Sequence, residues 1–376
     1  MMFHYIQLAL VAAAMPLGLT YAVCLTPCLA LLRAFRLRPS PVAPDDVDLS
    51  GKVCVVTGAS TGIGGRTAFH LARMGAKVIM ACRSVERGEK ARAKMTKELA
   101  TFEAGGAPSS GKQGTLEVMA CDLCDLQSVR AFARDFKAKH GDQVNVLVNN
   151  AGIGVNFGSV STKDGLETVF GGNFVGHFCL TTELMPLILS TPGSRVVCLS
   201  SVFHHMSGTN WEAAAGGILQ RWAYPESKLA MVLFAKELRR RFAAAGASAT
   251  AFAVNPGVVR SDIYRSLPKL ILPAFDLYLR LAHLNLDQGC CPSMCAATWP
   301  LEKLSESDYF QPYWMPFGLY YPFPGELVAP FVGCAPAMPS LPKDEPAASA
   351  ELWRACERMI EAAGAARGEA RSAARG

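Results

Sequence analysis

A chain of 376 residues is long enough to bury a large hydrophobic core. Hydrophobic residues make up 51% of it and charged residues 18%, which excludes an intrinsically disordered protein. The formal net charge of +6 is modest and lies partly beside the apolar N-terminus and partly in the tail after Ala363. It forms no basic stripe, so we expect no nucleic-acid partner.

The N-terminal segment before Arg33 contains no Asp, Glu, Lys or Arg. As a helix, residues 6–26 alone would span about 31 Å, close to the hydrocarbon thickness of a bilayer. Arg33, Arg36 and Arg38 follow, and the positive-inside rule then leaves the rest of the chain in the cytosol. The sequence predicts a single-pass membrane anchor over residues 1–37; a cleaved signal peptide and a buried soluble helix are the alternatives.

After a proline-containing linker at 38–48, strand and helix patterns alternate. Strands are predicted at 53–57, 77–81, 116–120, 144–148, 195–199 and 249–254. Helices are predicted at 64–74, 84–99, 126–140, 173–189 and 223–245. This alternation predicts an α/β fold with a doubly wound parallel sheet of the Rossmann type, whose ligands bind beyond the carboxyl ends of the strands. We place this Rossmann-type domain at 49–300 and a C-terminal extension at 301–376.

The thirteen cysteines scatter through apolar segments, where a free thiol acts as a small hydrophobic group. Cys121 and Cys124 form a CxxC pair, but no second pair follows at the spacing of a zinc site. We therefore expect free thiols, a reducing compartment and no metal.

The segment TGASTGIG at residues 57–64 lies between the first predicted strand and the first predicted helix. Glycines permit a tight turn there, so a diphosphate can rest on the helix N-terminus. The residues predicted to hold it are Gly58, Ser60, Thr61, Gly62, Ile63 and Gly64.

Three further loops follow predicted strands. The second strand ends at Arg83 with no acidic residue to bind a ribose 2′-hydroxyl, and Arg83 offers a planar cation to a 2′-phosphate. We therefore predict NADP rather than NAD, the alternative being a solvent-facing arginine. Asp122 can accept from an adenine amino group or cap the next helix. The small and amide residues Asn150, Ala151 and Gly152 suit a backbone that passes close to a cofactor.

Tyr224 and Lys228 lie four residues apart on a predicted helix and share one face. A phenol with a pKa of about 10 is a poor base at neutral pH, and an adjacent ammonium group favours the phenolate. Ser200 and Ser201 follow an earlier predicted strand, where a hydroxyl can bond a carbonyl oxygen as charge builds. The pattern predicts proton transfer to a substrate oxygen; an exposed Tyr and Lys on an amphipathic helix is the alternative.

These segments together resemble the short-chain dehydrogenase/reductase family, and within it the membrane-anchored branch of retinol dehydrogenases. The matching segments are TGASTGIG, Ala-Cys-Arg, Asp122-Leu123, NNAG, GNFVGHF, SSVFHH, YPESKLA and NPGVVRS, all between residues 49 and 297.

The resemblance implies a catalytic tetrad and further cofactor contacts. Tyr224 is the acid/base, and Lys228 lowers its pKa and holds the nicotinamide ribose. Ser201, the second serine, orients the substrate oxygen, and Asn173 holds a water in a proton relay. The additional residues implied to bind the cofactor are Leu123, Pro256, Gly257, Val259 and Ser261.

The resemblance and the anchor imply an NADP-dependent oxidoreductase of a lipophilic alcohol or carbonyl, of the retinoid, steroid or fatty-aldehyde kind. They place it in the endoplasmic reticulum membrane, facing the cytosol, and the family makes a homodimer an expectation. One alternative is a double-bond reductase of the protochlorophyllide-reductase type, which the aromatic segment at 309–324 favours. Another is a non-catalytic NADP-binding scaffold.

Several features outside the motifs stay open. The segment at 309–324 can form a lid over the substrate, press on the membrane or pack against the sheet edge. Residues 351–362 predict an amphipathic closing helix, and the chain is expected to fray from Arg367. His204 and His205 line the substrate entrance or lie on the surface. Pro225 requires its helix to begin just before it.

Overall fold

The computed structural model describes residues 47–104, 114–154, 161–207, 210–211, 215–216, 223–257, 259, 284–304, 307–312, 334–336, 339 and 341–373. The predicted anchor at 1–37 and nearly all of the linker lie outside these residues. Among the described helices, none is both long enough and apolar enough to cross a membrane.

The centre of the described fold is one eight-stranded sheet with the order β3-β2-β1-β4-β5-β6-β7-β8. The strands are β1 Val53–Thr57, β2 Lys77–Cys82, β3 Thr115–Ala120, β4 Val146–Asn149, β5 Arg195–Leu199, β6 Thr250–Val254, β7 Tyr309–Pro312 and β8 Cys334–Pro336. The first seven are parallel, and β8 is antiparallel to β7. The chain reverses direction across the sheet between β3 and β4, which confirms the doubly wound parallel architecture.

Helices cover both faces of the sheet, as the alternation of strands and helices predicts. They are α1 Gly62–Arg73, α2 Val85–Ala104, α3 Leu126–His140, α4 Thr168–Phe170, α5 Gly176–Glu183, α6 Met185–Ser190, α7 Ala223–Ala244, α8 Leu286–Thr298, α9 Leu301–Leu304 and α10 Glu345–Ala373, with a π-helix at Gly171–Val175 and a 3₁₀ helix at Val202–Met206.

The central strands are buried on both faces because each face packs against helices. In β1, Val53 and Val55 belong to one hydrophobic cluster while Cys54 and Val56 belong to the other, following the two-residue repeat of a strand. The described cysteines are free thiols, and burial raises the pKa of Cys121 to about 12.

The single helix predicted at 173–189 is wrong, because the structure divides this stretch into three parts. The π-helix occupies its start, α5 follows, and α6 begins after Leu184. Pro186 lies in the first turn of α6, where its missing N–H costs nothing, whereas inside a continuous helix it would remove a hydrogen bond.

Helix α8 has no counterpart in the sequence-based expectations. It contains Pro292 and a glycine and is buried from Gly289 to Thr298, so this stretch lacks the one-sided apolar repeat that identifies a surface helix. Strand β7 pairs with β6, so residues 309–312 pack at the sheet edge, one of the three alternatives for this segment. Residues 313–324 lie outside the described part of the chain.

The C-terminal helix α10 is longer than expected and packs against α5 and α7. Trp353, 5% exposed, lies 4.8 Å from Phe178 and 5.8 Å from Phe234 between ring centres. The Arg241 guanidinium lies 3.7 Å from the Trp353 ring centre, a cation–π contact. The expectation that the chain frays from Arg367 is wrong: Arg367 makes 3.0 Å ion pairs with Asp125 and Asp164.

We predict that Trp353→Ala lowers the free energy of unfolding of the full chain by about 3–5 kcal/mol, because a large buried ring leaves a cavity. Urea unfolding followed by far-UV circular dichroism measures this. Trp353→Phe keeps most of the packing and loses the 2.6 Å bond from Nε1 to Glu357, so it should cost about 1 kcal/mol. Wild-type stability in the alanine variant would contradict the packing of α10.

Candidate active site

Tyr224 and Ser201 meet at the carboxyl end of β5. Helix α7 begins at Ala223, just before Pro225, as the proline requires. This places the partly buried Tyr224 in its first turn, with its side chain hydrogen-bonded to the Ser201 hydroxyl. The two hydroxyls that sequence analysis assigned to catalysis are therefore in contact.

Lys228 lies one turn further along α7 and is 3% exposed. Its Nζ donates a 3.0 Å hydrogen bond to the Leu199 carbonyl and lies 5.5 Å from the centre of the Tyr224 ring. Burial lowers the pKa of Lys228 to about 8, which still leaves its amino group mostly protonated at pH 7.

In this structure burial raises the pKa of Tyr224, and the hydrogen bond from Ser201 opposes that effect. The expected lowering of this pKa by Lys228 stays a prediction.

The two consecutive serines, Ser200 and Ser201, have different hydrogen-bond partners. The Ser200 hydroxyl is buried and donates a 2.8 Å bond to the backbone carbonyl of Lys228, so it fixes α7 against the end of β5. Ser201 caps the 3₁₀ helix and contacts Tyr224. Of the pair, only Ser201 presents its hydroxyl to the phenol, in line with the assignment that the resemblance implied.

Asn173 is completely buried within the π-helix. Its Oδ1 accepts from the Ile153 N–H at 2.7 Å, and its Nδ2 donates to the Ile153 carbonyl at 3.0 Å and to Ser227 Oγ at 3.3 Å. The amide therefore joins the loop after β4 to α7. The implied role of Asn173 in holding a water stays a prediction.

The glycine-rich turn has the geometry that a bound dinucleotide requires. Gly58 and Gly62 have positive φ angles of 66° and 62°. A Cβ on Gly58 would lie 2.9 Å from the Ala151 Cα, and one on Gly64 would collide with the Asn150 amide. Helix α1 starts directly after the turn with no acidic residue in its first turn, so its N–H groups are available to phosphate. The adjoining Ser60, Thr61 and Ile63 complete the turn.

Arg83 is exposed and directly follows β2. The thiol of its neighbour Cys82 accepts from the backbone at Ala59 and Ser60, so the end of β2 adjoins the glycine-rich turn. The predicted contact of Arg83 with a 2′-phosphate stays a prediction.

The loop after β3 contains Asp122 and Leu123, but Asp122 does not cap the following helix. Its Oδ1 accepts from the Cys124 N–H at 3.1 Å, and Asp125 caps α3 through the N–H groups of Gln127 and Ser128. The capping alternative for Asp122 is therefore wrong. Leu123 packs so closely on α5 that a Cβ on Gly176 would collide with its carbonyl.

The remaining predicted residues border the same end of the sheet. Gly152 faces the site: a Cβ there would lie 3.6 Å from Lys228 Nζ. Pro256 and Gly257 follow β6, where Gly257 has a φ of 74° and donates to Asn255 Oδ1. Val259 is buried and forms a β-bridge with Leu284. Ser261 lies outside the described residues.

Sequence analysis assigned no role to Glu226 or His177 and left the position of His204 open, and all three are buried titratable residues around the site. His204 is 1% exposed and its Nδ1 lies 2.6 Å from the Ser201 carbonyl, so the surface alternative is wrong for it. Burial lowers its pKa to about 4, and His205 adds to the effect. Burial, with a contribution from Glu167, raises the pKa of Glu226 to about 7. His177 bonds Asn173 and Thr57; its only signal in the sequence was its place in the GNFVGHF segment.

A family model described as short chain dehydrogenase matches residues 52–270. Human retinol dehydrogenase 11 is 38% identical over 293 residues, covering 76% of this chain and 86% of that protein. Human polyprenol dehydrogenase is 35% identical over 266 residues, covering 69% of this chain and 76% of that protein. A crystal structure of an uncharacterized protein from Mycobacterium Paratuberculosis aligns with a TM-score of 0.61 at 29% identity, covering 86% of this chain and 98% of that one.

The chain belongs to the short-chain dehydrogenase family. It is an oxidoreductase of alcohol or carbonyl groups that uses a nicotinamide cofactor, and its relatives place it in the retinol-dehydrogenase-like branch.

Proposed function

We propose that this protein is an NADP-dependent oxidoreductase that interconverts a lipophilic alcohol and its carbonyl, with reduction as the favoured direction. The contact between the Tyr224 and Ser201 hydroxyls above buried Lys228 carries this proposal, because two O–H donors converge where a carbonyl oxygen can be received. The catalytic machinery is Asn173, Ser201, Tyr224 and Lys228.

In reduction, the substrate carbonyl oxygen accepts hydrogen bonds from Ser201 and Tyr224, and Tyr224 delivers its phenolic proton to that oxygen. The bound cofactor supplies the hydride. Lys228, held by the Leu199 carbonyl, offers positive charge beneath the phenolate that remains, and Asn173 keeps the β4 loop and α7 in register. The glycine-rich turn and α1 receive the diphosphate.

An apolar face beside the two hydroxyls supports a lipophilic substrate. Phe203 and Met206 are 45% and 39% exposed and lie three residues apart in the 3₁₀ helix, so they stack on one side of it. The Phe203 ring meets the Tyr224 ring edge-on at 5.8 Å. A retinoid, steroid or fatty aldehyde has an apolar surface that can be buried against these two exposed side chains.

We further propose that residues 1–37 anchor the protein in the endoplasmic reticulum membrane, with the catalytic domain at 49–300 on the cytosolic side. The uncharged apolar run before Arg33 and the arginines that follow support this arrangement. The anchor keeps the site near a bilayer into which such substrates partition. We propose that residues 38–48 link the anchor to the catalytic domain and that residues 301–376 form a C-terminal extension. We also propose a homodimer, which family resemblance alone supports.

The first test measures NADPH oxidation by the detergent-solubilised full chain with all-trans-retinal, a steroid ketone and a long-chain aldehyde. Tyr224→Phe and Ser201→Ala should each lower turnover by about a hundredfold or more, because the proton donor or its partner is lost. Ser200→Ala is the matched control: it loses a bond to the backbone, costs about 1 kcal/mol of stability and keeps most of its turnover.

Equal losses for the two serine variants would contradict the assignment of Ser201. Wild-type protein that binds NADPH but turns over no carbonyl would favour the scaffold, and turnover of a tetrapyrrole instead would favour the double-bond reductase.

The apolar face generates a second prediction. Phe203→Ser and Met206→Ser should raise KM for a long-chain aldehyde about tenfold while leaving KM for a three-carbon aldehyde nearly unchanged, because only the long chain buries surface against them. Leu301→Ser, which removes an equally exposed side chain (43%) elsewhere, is the control. A uniform change across both aldehydes would rule out this face as the contact for the chain.

Cofactor choice is tested at Arg83. Arg83→Ala should weaken NADPH binding about tenfold and leave NADH binding nearly unchanged, because a charge-assisted bond to the 2′-phosphate is lost. Fluorescence titration of both cofactors measures this. Arg92→Ala is the control: it removes an arginine that pairs with Glu89 within α2, and it should change the affinity for neither cofactor. An equal loss for the two cofactors at Arg83 would refute NADP selection by this residue.

A further inference from the structure

His177 is completely buried one helical turn after Asn173. Its Nδ1 lies 2.8 Å from the Asn173 backbone carbonyl oxygen, and its Nε2 lies 2.8 Å from the Thr57 hydroxyl. The imidazole therefore spans the space between the π-helix and the carboxyl end of β1, directly before the glycine-rich turn.

The partners of His177 determine its tautomer. A backbone carbonyl only accepts, so the proton must be on Nδ1. Burial lowers the pKa of His177 to about 4, with the Lys228 charge acting in the same direction, so the ring is neutral at physiological pH and Nε2 is an acceptor. The Thr57 hydroxyl therefore donates to Nε2 at 2.8 Å in preference to the Val148 carbonyl, which lies 3.3 Å away.

That direction has a consequence for the loop after β4. The Thr57 Oγ1 accepts from the backbone nitrogens of Asn150 at 2.9 Å and Ala151 at 3.0 Å, and the Asn150 N–H also donates to the Val148 carbonyl at 3.0 Å. With its proton committed to His177, the Thr57 oxygen turns both lone pairs toward these N–H groups. The Asn150 side chain in turn donates to the Thr57 carbonyl at 2.8 Å.

We propose that His177, as the neutral Nδ1–H tautomer, is a positioning residue that locks the Asn173 turn of the catalytic centre to the Thr57–Asn150 frame of the cofactor site. It acts through two separate bonds: Nδ1–H holds the Asn173 carbonyl, and Nε2 orients Thr57. Neither bond touches substrate or cofactor, yet together they fix the spacing between the catalytic amide and the cofactor-binding turn.

The two bonds can be removed one at a time. In His177→Asn, the side-chain N–H occupies the place of Nδ1–H and keeps the bond to Asn173 but cannot reach Thr57. In His177→Gln, the longer side chain places its oxygen near the former Nε2, where it accepts from Thr57, and the Asn173 bond is lost. Thr57→Val removes the hydroxyl at nearly constant volume.

The expected result is a crossed pattern. His177→Asn and Thr57→Val should weaken NADPH binding about tenfold with a smaller change in kcat at saturating cofactor, because the Asn150 loop is released. His177→Gln should lower kcat about tenfold with little change in NADPH affinity. Combining His177→Asn with Thr57→Val should be no worse than Thr57→Val alone, because Thr57→Val already breaks the bond that His177→Asn removes.

Thermal unfolding is measured for every variant, to distinguish the loss of a positioning contact from a general loss of stability. His140→Asn is the control, because it removes a buried histidine at the far end of α3. Variants that lower only the unfolding temperature, or Asn and Gln variants with the same kinetic pattern, would overturn the proposal. Only the predicted change in kcat rests on the proposed reductase activity. NADPH titration tests the role of the bond between His177 and Thr57 even if no carbonyl is turned over.

Discussion

Lys228 is almost completely buried at the carboxyl end of the sheet, and the contacts of the catalytic residues depend on how its amino group is hydrogen-bonded. A buried ammonium group is costly unless it is hydrogen-bonded, and here the Leu199 carbonyl at the end of β5 supplies that bond. Ser200 fixes the backbone of the same lysine. The bond to Leu199 holds the first turns of α7 at the end of β5, beside the contact between Tyr224 and Ser201.

The elements that the sequence predicted well are those whose signals are local. Apolar runs ending in small or polar residues identified the strands, and four-residue spacing put Tyr224 and Lys228 on one helix face. Proline chemistry located the start of α7 at Ala223. Each of these depends on neighbours within a few residues, which a single sequence displays directly.

The remaining features depend on contacts between distant residues. The low pKa of His177 arises because strand β1 and the π-helix enclose it, and Thr57 is 120 residues away in the chain. The raised pKa of Tyr224 follows from burial, which spacing to Lys228 does not disclose. Helix α8 was missed because its residues from Gly289 to Thr298 are all buried, which removes the polar face by which helices are recognised.

The C-terminal helix shows how a distant segment bears on the cofactor side of the fold. Arg367 pairs with Asp125 and Asp164, whose side chains are 12% and 3% exposed, so solvent screens these pairs less than ordinary surface ones. Burial opposes ionisation of Asp125, but Lys163 and Arg367 hold its pKa below the usual value. Because Asp125 also caps α3 three residues after Asp122, the end of α10 steadies the loop that borders the adenine side of the proposed cofactor site.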